Sequence, residues 1–227
     1  MRANFLTRLL PSRDYLTTSF MREFPGNSVL RLIPWTKDGI LARHLSPDDR
    51  VLDLGCGPRS VLMHYKVGHS VGVDIFDPYI EEARRLGTHD TVMKADCTQV
   101  EFEPNSFDVV VAFDVFDHLE RQDSLALIEK TKRWARKKVI AIVTNGRADP
   151  PILDDNEFQR HRSAFSMRDM QQLGFRTYGL GLKLPGMNSK IPVIDFLIRR
   201  LTFPFWFISY YWPRFGYDVA AICVKEG

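Results

Sequence analysis

The residues best suited to binding chemistry lie in a glycine-rich turn that follows a short apolar run, within positions 51–60. Gly55 and Gly57 allow a ligand to approach the backbone closely, and both can adopt the positive φ angles that such a turn favours. Asp74 ends a second apolar run nineteen residues after Gly55. This spacing is typical of a doubly wound fold in which a carboxylate lies beside a ribose.

Two details of this turn indicate which ligand it binds. The third glycine of the dinucleotide fingerprint G-x-G-x-x-G is replaced by Ser60, and Asp53 lies two residues before the first glycine. A carboxylate there would repel a pyrophosphate in a low-dielectric cleft, but it suits a cationic group such as an ammonium or a sulfonium. The pattern therefore favours a cationic ligand, and an NAD(P)-dependent oxidoreductase is a less favoured alternative.

The elements that must position these residues follow an alternating pattern. Short apolar runs separated by segments long enough for helices are typical of parallel strands joined by crossovers. The predicted strands are Arg50–Leu54, Ser70–Asp74, Asp90–Ala95, Phe107–Phe113, Val139–Thr144, Phe175–Leu182 and Asp218–Lys225.

Helix signals lie between these runs. We predict that the glycine turn leads into a helix, and that another helix begins with Asp77 as N-cap and ends at Gly87. A capping-box pattern at Ser166–Asp169 predicts a helix that ends near Gly174. Two more helices are predicted over Lys37–His44 and about 123–135.

Composition limits the class of protein. With 227 residues, of which 44% are hydrophobic, the chain can bury the core of one large domain, which excludes disorder. Its three cysteines form no C-x-x-C pair, and residues 1–10 lack the apolar run of a secretory signal. We therefore expect a cytoplasmic protein in which Cys56 and Cys97 are small apolar fillers.

The net charge of +3 is unevenly distributed. Residues 1–32 carry five arginines against two acids, a balance of +3, and residues 183–216 carry five basic residues against Asp195, a balance of +4. The rest of the chain therefore balances at 3 − 3 − 4 = −4. An anionic partner would meet the two basic segments, unless they are simply solvated surface.

Four segments in order resemble the motifs of class I S-adenosylmethionine (SAM) methyltransferases. They are Val51–Gly57, Val71–Asp74, Lys94–Cys97 and Ser106–Leu119, and the resemblance covers most of residues 36–182 and 218–226. It implies an α/β Rossmann-like fold with a doubly wound, seven-stranded, mostly parallel sheet whose last strand is antiparallel. It also implies an enzyme with SAM as cofactor and S-adenosylhomocysteine (SAH) as product.

The resemblance also implies roles for individual residues. The glycine turn with Asp53, Gly55 and Gly57 would contact the methionine part of SAM, and Asp74 would bind the ribose hydroxyls. The remaining cofactor contacts would come from Ile75 on the adenine, from Asp96 on the adenine amino group, and from Cys97 and Phe113.

The acceptor pocket of the resembling family lies over the carboxyl ends of strands four and five. Asp114, Asp117 and His118 follow strand four and are candidate bases, and histidine has the ordinary pKa best matched to neutral pH. His161 is a second candidate, in a loop expected to cross the pocket mouth. We predict His118 and His161 as catalytic residues, while His118 packing against its turn is the alternative.

Other features of the acceptor side are less specific. Arg160 and Arg162 could recognise a phosphate or carboxylate on the acceptor, or could belong to a solvated loop. No metal is predicted, because Thr144 stands where a second carboxylate would precede Asn145. Asp149 and the two prolines after it lack the aromatic residue of an amine-methylation motif and are interpreted as a turn.

Residues 191–214, within the insertion at 183–217, hold eight of the chain's 27 aromatic residues. Asp195, Arg199, Arg200 and Pro204 interrupt any run of the ~20 apolar residues that a membrane span requires. Basic and aromatic residues together are typical of an interfacial membrane contact. Packing on the N-terminal helices, a homodimer contact and a lid over the acceptor are the alternatives.

These observations predict four parts of the chain: a helical cover at 1–45, the SAM-binding core at 46–182, the insertion at 183–217 and a final strand at 218–227. We expect methyl transfer to a hydroxyl of a small or lipid-linked molecule, glycan or quinone-like, with no nucleic-acid partner. The protein would be cytoplasmic, with peripheral contact at the inner face of a membrane. A SAM-binding sensor or partner subunit without turnover is the alternative.

Overall fold

The computed structural model describes residues 29–148, 152, 154–184 and 201–225. Seven strands form one mixed sheet in the order β3-β2-β1-β4-β5-β7-β6, in which β7 is antiparallel to β5 and β6 and the other six run the same way. This is the predicted fold. The strands are β1 Arg50–Leu54, β2 His69–Asp74, β3 Thr91–Lys94, β4 Phe107–Phe113, β5 Ala135–Thr144, β6 Arg176–Leu182 and β7 Gly216–Val224.

The α-helices whose bounds lie within the described residues are α1 Lys37–His44, α2 Asp77–Leu86, α3 Arg121–Trp134, α4 Met167–Gln172 and α5 Trp206–Tyr211. The predicted capping box of α4 is confirmed, since Ser166 and Asp169 bond reciprocally. Gly87 ends α2 in the left-handed conformation, also as predicted. The N-cap of α2 is instead Phe76, because its carbonyl accepts the first helical bond, from Ile80 N at 3.1 Å.

Two crossovers lack the α-helix for which the sequence leaves room. The glycine turn does not enter an α-helix; a single 3-10 turn, Val61–His64, stands there. The chain then returns to the start of β2 because Gly68 N donates to Asp49 O at 2.9 Å. Residues 95–106, between β3 and β4, contain turns and no helix.

Apolar side chains fill both faces of the sheet, as they must when crossovers cover both sides. Since successive side chains of a strand point to opposite faces, Val110 and Ala112 pack in the layer that contains Trp134 of α3. Val109 and Val111 pack in the other layer, with Ile40 of α1. The two buried layers hold the carboxyl ends of β1, β2 and β4 in fixed relation to one another.

The described part of the insertion packs on α1 and β6. The Trp35 and Phe207 rings meet edge to face at 6.1 Å, and Arg43 Nη2 donates to the Tyr210 hydroxyl at 3.2 Å. Tyr210 also stacks on Tyr178 of β6 at 4.9 Å. For these residues, the contacts agree with the alternative that the insertion packs on the N-terminal helices. Residues 1–28 and 185–200 lie outside the described part of the chain.

Candidate functional site

The two glycines of the turn after β1 have different surroundings. Gly55 and Gly57 have φ angles of 62° and 60°, a conformation that side chains other than glycine rarely adopt. A Cβ on Gly55 would lie 2.7 Å from Val115 Cγ2, whereas a Cβ on Gly57 would meet no atom within 4 Å. Packing therefore requires the first glycine, while the second borders open space in which a ligand can approach the backbone.

Asp74 lies beside this open space. Its Oδ2 accepts from Gly57 N and its Oδ1 from Phe76 N, both at 2.9 Å. Burial raises the pKa of Asp74, the N–H donors of Phe76, Gly57 and Ile75 oppose the rise, and the charge of Asp53 adds to it. The structure thus brings Asp74 to the glycine turn as predicted, and its contact with a ribose stays a prediction.

Asp53 faces the protein's own residues. Its buried Oδ2 accepts from Ser60 Oγ at 2.6 Å and pairs with His89 Nε2 at 3.1 Å. Thr88 Oγ1 lies 2.9 Å from the other ring nitrogen of His89. These bonds join β1, the turn after the glycines and the start of β3, so Asp53 anchors the turn.

Sequence reasoning missed His89. One available signal was Gly72 in the middle of β2, since a glycine inside a strand often marks a close approach. A Cβ at Gly72 would lie 2.7 Å from the Nδ1 atom of His89, so this glycine makes room for the buried ring.

The other predicted cofactor residues lie at the same edge of the sheet. Asp96 Oδ1 accepts from the backbone N and the hydroxyl of Thr98, both at 2.8 Å. Burial raises the pKa of Cys97 to about 12, and the charges of Asp96 and Asp74 add to the rise, so the thiol is protonated at neutral pH. Ile75 and Phe113 are half-buried, directly after β2 and at the end of β4.

Two carboxylates follow β4. Asp114 has a positive φ of 55° and accepts from Lys37 Nζ of α1 at 2.9 Å. Asp117 is buried, and its Oδ2 accepts from Thr144 N at 2.7 Å while Oδ1 finds no donor among the described residues. Burial raises the pKa of Asp117 to about 7 against the bond from Thr144, and the charges of Asp114 and Asp218 add to the rise.

The structure brings His118 and His161 together. Their ring centroids are 4.8 Å apart, edge to face. Burial lowers the pKa of His118 against the opposing charge of Asp114 and hydrogen bonds to the backbone of Arg160 and Gln159. The ring is therefore neutral at pH 7, and its buried Nδ1 has no bonding partner in the part of the chain that the structure describes.

The loop from 154 to 165 crosses the carboxyl edge of the sheet, as predicted for the segment around His161. The Tyr79 hydroxyl of α2 donates to Asp154 at 2.8 Å and accepts from Gln159 at 2.7 Å, while Ser163 Oγ donates to Phe116 O at 3.0 Å. The loop thus spans from α2 to the turn after β4.

The two arginines of this loop have acidic neighbours. Arg160 pairs with Glu157 at 3.0 Å, and Arg162 lies 3.9 Å from Glu120. The Arg160 side chain is 56% exposed and the Arg162 side chain 46%, which agrees better with the solvated-loop alternative than with recognition of an acceptor.

Two further kinds of site are absent from the described residues. None of their His, Cys, Asp and Glu side chains cluster as metal ligands do, and none of their helices is long and apolar enough to cross a bilayer.

Comparison with known proteins places this site in a family. Residues 52–143 match the model of the methyltransferase domain family. Phosphoethanolamine N-methyltransferase 1 of Arabidopsis thaliana is 30% identical over 165 residues, which cover 69% of this chain and 32% of that protein. The mRNA cap guanine-N(7) methyltransferase 1 of the same plant is 29% identical over 87 residues, covering 36% of this chain and 24% of that protein.

The fold agrees with this match. A SAM-dependent methyltransferase from Archaeoglobus fulgidus superposes with a TM-score of 0.53 at 19% identity, over 91% of this chain and 99% of that chain. The present chain spans only about a third or less of the length of the plant relatives it matches. The family match and the shared fold together identify the chain as a member of the class I SAM-dependent methyltransferases.

Proposed function

We propose that this protein transfers the methyl group of SAM to a small or lipid-linked acceptor. The observation that carries the proposal is the open space over Gly57, which lies one hydrogen bond from Asp74. A carboxylate that can accept from two ribose hydroxyls beside a backbone that a ligand can approach is what the cofactor of this family requires.

The cofactor contacts proposed for the chain come from the carboxyl ends of four strands, including Phe113 at the end of β4. Asp74 and Ile75 would hold the nucleoside, Asp96 and Cys97 the adenine, and the glycine turn the amino-acid part. When bound, SAM would supply an electrophilic methyl carbon on a sulfonium, with SAH as the thioether leaving group when the acceptor bonds to that carbon in line. Asp53 would act through the turn, because Ser60 and His89 already occupy its Oδ2.

A hydroxyl acceptor requires a base, and the end of β4 carries candidates. His118 is neutral at pH 7, and its Nδ1 can accept a proton. His161, on the crossing loop, is in ring contact with it. We therefore propose His118 as the base that removes the acceptor proton, with His161 beside it.

An amine acceptor is a second candidate. The plant relative that matches over the longest stretch is named for an amine substrate, phosphoethanolamine. The charges of Asp114 and Asp218 add to the raised pKa of Asp117, and an acidic group of this kind favours a cationic ammonium over a neutral hydroxyl. Transfer then needs loss of one ammonium proton, for which the same histidine would serve.

The decisive experiment uses the purified full chain with methyl-labelled SAM. Label would be followed into fractions of a cell extract, into phosphoethanolamine and into capped RNA. Label in a hydroxyl-bearing small molecule or lipid supports the first candidate, and label in phosphoethanolamine supports the second. Transfer to capped RNA alone would contradict the proposal of a small acceptor.

Two further outcomes separate the remaining alternatives. Binding of SAH by calorimetry without transfer to any acceptor would favour a sensor or partner subunit. Binding of NADH with no binding of SAH would favour an oxidoreductase. For the base, His118→Gln should lower kcat at least about tenfold with an unchanged Kd for SAH, whereas a change in SAH binding alone would contradict the assignment.

A lipid-linked acceptor would bring the enzyme to a membrane. We propose a cytoplasmic enzyme that works at the inner face, with a homodimer as the alternative use of its exposed aromatic residues.

A further inference from the structure

An exposed apolar surface lies on the insertion, and its described members come from residues 201–215. Tyr211 is 65% exposed, Trp212 54%, Phe205 53% and Phe215 44%. Several large exposed rings on one short segment are unusual in a soluble monomer and mark a contact surface. We call these four side chains the aromatic surface.

The aromatic surface is held firmly on the protein. The helix α5 approaches β6 so closely that a Cβ on Gly179 would lie 2.3 Å from Ser209 O. Ser209 is buried, and the Tyr210 ring stacks on Tyr178. One side of the segment is therefore fixed against the sheet while the other presents its rings to the surroundings.

The segment also adjoins the proposed acceptor site. Asn145, directly after β5, donates through Nδ2 to Pro213 O at 3.2 Å and to Gly216 O at 3.0 Å. Lys183 N donates to Phe215 O at 2.9 Å. The aromatic surface thus continues onto the edge of the sheet where β4 and β5 end.

Cations accompany the rings at this edge. Arg214 lies with its guanidinium 4.6 Å from the Phe215 ring, and Lys183 Nζ donates to Asn145 O at 3.0 Å. Arg147 is exposed two residues after Asn145. None of these three cations forms an ion pair with a carboxylate of the described residues, and residues 183–216 carry a balance of +4 in sequence.

We infer that the aromatic surface docks on an anionic lipid bilayer and turns the acceptor edge toward it. Aromatic rings at headgroup depth with cations beside them match the chemistry of such a surface. A second copy of the chain would carry the same positive balance and is disfavoured by charge. The inference rests on the proposed function in one respect: docking would deliver a lipid-linked acceptor to the enzyme. The docking itself needs neither cofactor nor turnover.

The test is flotation of the full chain with vesicles of phosphatidylcholine alone or with about a third phosphatidylglycerol. We expect the protein to float with the anionic vesicles at low salt and to be released at about 0.5 M salt, because screening removes the electrostatic part. Phe215→Ser and Trp212→Ser, made separately, should each reduce the bound fraction several-fold.

A matched control lies at the opposite end of β7. Val224 is 64% exposed, so Val224→Ser removes exposed apolar area far from the acceptor edge. It should leave flotation unchanged. Equal loss of flotation in Val224→Ser and Phe215→Ser would overturn the inference.

Other outcomes would also overturn it. These are absence of flotation at low salt, equal binding to neutral vesicles, and a concentration-dependent dimer that Trp212→Ser abolishes in a protein that does not float. Calorimetry with SAH on the same samples keeps the two proposals distinguishable. Normal SAH binding without flotation refutes only the membrane contact, and flotation without SAH binding refutes only the proposed function.

Discussion

The alanine variants of Gly57 and Gly87 separate a ligand contact from backbone strain. Both glycines have a φ of 60°, and a Cβ on either would meet no protein atom within 4 Å. Gly57 lies in the turn beside Asp74, whereas Gly87 ends α2 away from the proposed site. The two substitutions therefore carry the same local cost in the folded protein and differ only in what they border.

The magnitude follows from that geometry. A residue other than glycine in the left-handed region costs about 1–2 kcal/mol, so Gly57→Ala and Gly87→Ala should lower the free energy of unfolding by similar amounts. Only at Gly57 would the new methyl group occupy the space proposed for the cofactor. We expect the Kd for SAH to rise at least about tenfold in Gly57→Ala, about 1.4 kcal/mol, and to stay unchanged in Gly87→Ala.

Denaturant unfolding would measure stability and calorimetry with SAH would measure binding for both variants. Gly55→Ala adds an internal check, because its Cβ would lie 2.7 Å from Val115 Cγ2 and overpacking costs about 1–3 kcal/mol beyond the strain. It should be the least stable of the three. If Gly57→Ala binds SAH as well as Gly87→Ala does, the open space over Gly57 is not the cofactor site.

Three other predictions concern buried or charged groups. Asp74→Ala should weaken SAH binding by about 1–3 kcal/mol in calorimetry. Asp77→Ala removes only an exposed carboxylate paired with Lys94 and should leave SAH binding unchanged. Equal effects of the two variants would contradict a ribose contact at Asp74. His89→Gln keeps an amide donor for Asp53 and should retain more SAH affinity than His89→Leu, measured at matched folded fraction; equal affinities would show that the bond to Asp53 does not position the turn. The pKa of Asp117 is raised from 3.8 to about 7 in the folded protein, so its protonated form favours folding. This contribution to the free energy of unfolding is lost as pH rises from about 4 to about 7, by at most about 1.4 kcal/mol per pH unit. Asp117→Asn should flatten that part of the curve in denaturant unfolding, and an unchanged slope would contradict the raised pKa.

Strand positions were predictable because buried parallel strands are continuous apolar runs whose signal is local. The predicted and observed bounds agree for β1 and β4 and differ by one to four residues elsewhere, the most at the start of β5. That strand already begins at Ala135. Its charged residues Arg136 and Lys137 can belong to the strand because they form ion pairs with Asp108 and Asp49. Such ion pairs leave no signal in a hydropathy pattern.

Helix crossovers were less predictable, since segment length permits a helix without requiring one. Ser60 caps a single 3-10 turn. The hydrogen bond from Gly68 N to Asp49 O then places the chain at the start of β2, which leaves no room for a longer helix. The predicted N-cap of α2 was wrong by one residue, because the helix already begins on the Phe76 carbonyl, and Asp77 pairs with Lys94 on the neighbouring strand. Both outcomes depend on partners that are distant in sequence.

The candidate site also has parts that depend on local sequence and parts that depend on distant partners. The glycine turn, Asp74 and the order of the motifs follow from residue types at short spacing, because each needs only its own strand and turn. The pairing of Asp53 with His89 and the contact of His118 with His161 join residues 36 and 43 positions apart, and the raised pKa of Asp117 arises mainly from burial. Such contacts form only when the sheet brings its carboxyl ends together and excludes water from them, so residue types and spacing along the chain do not predict them.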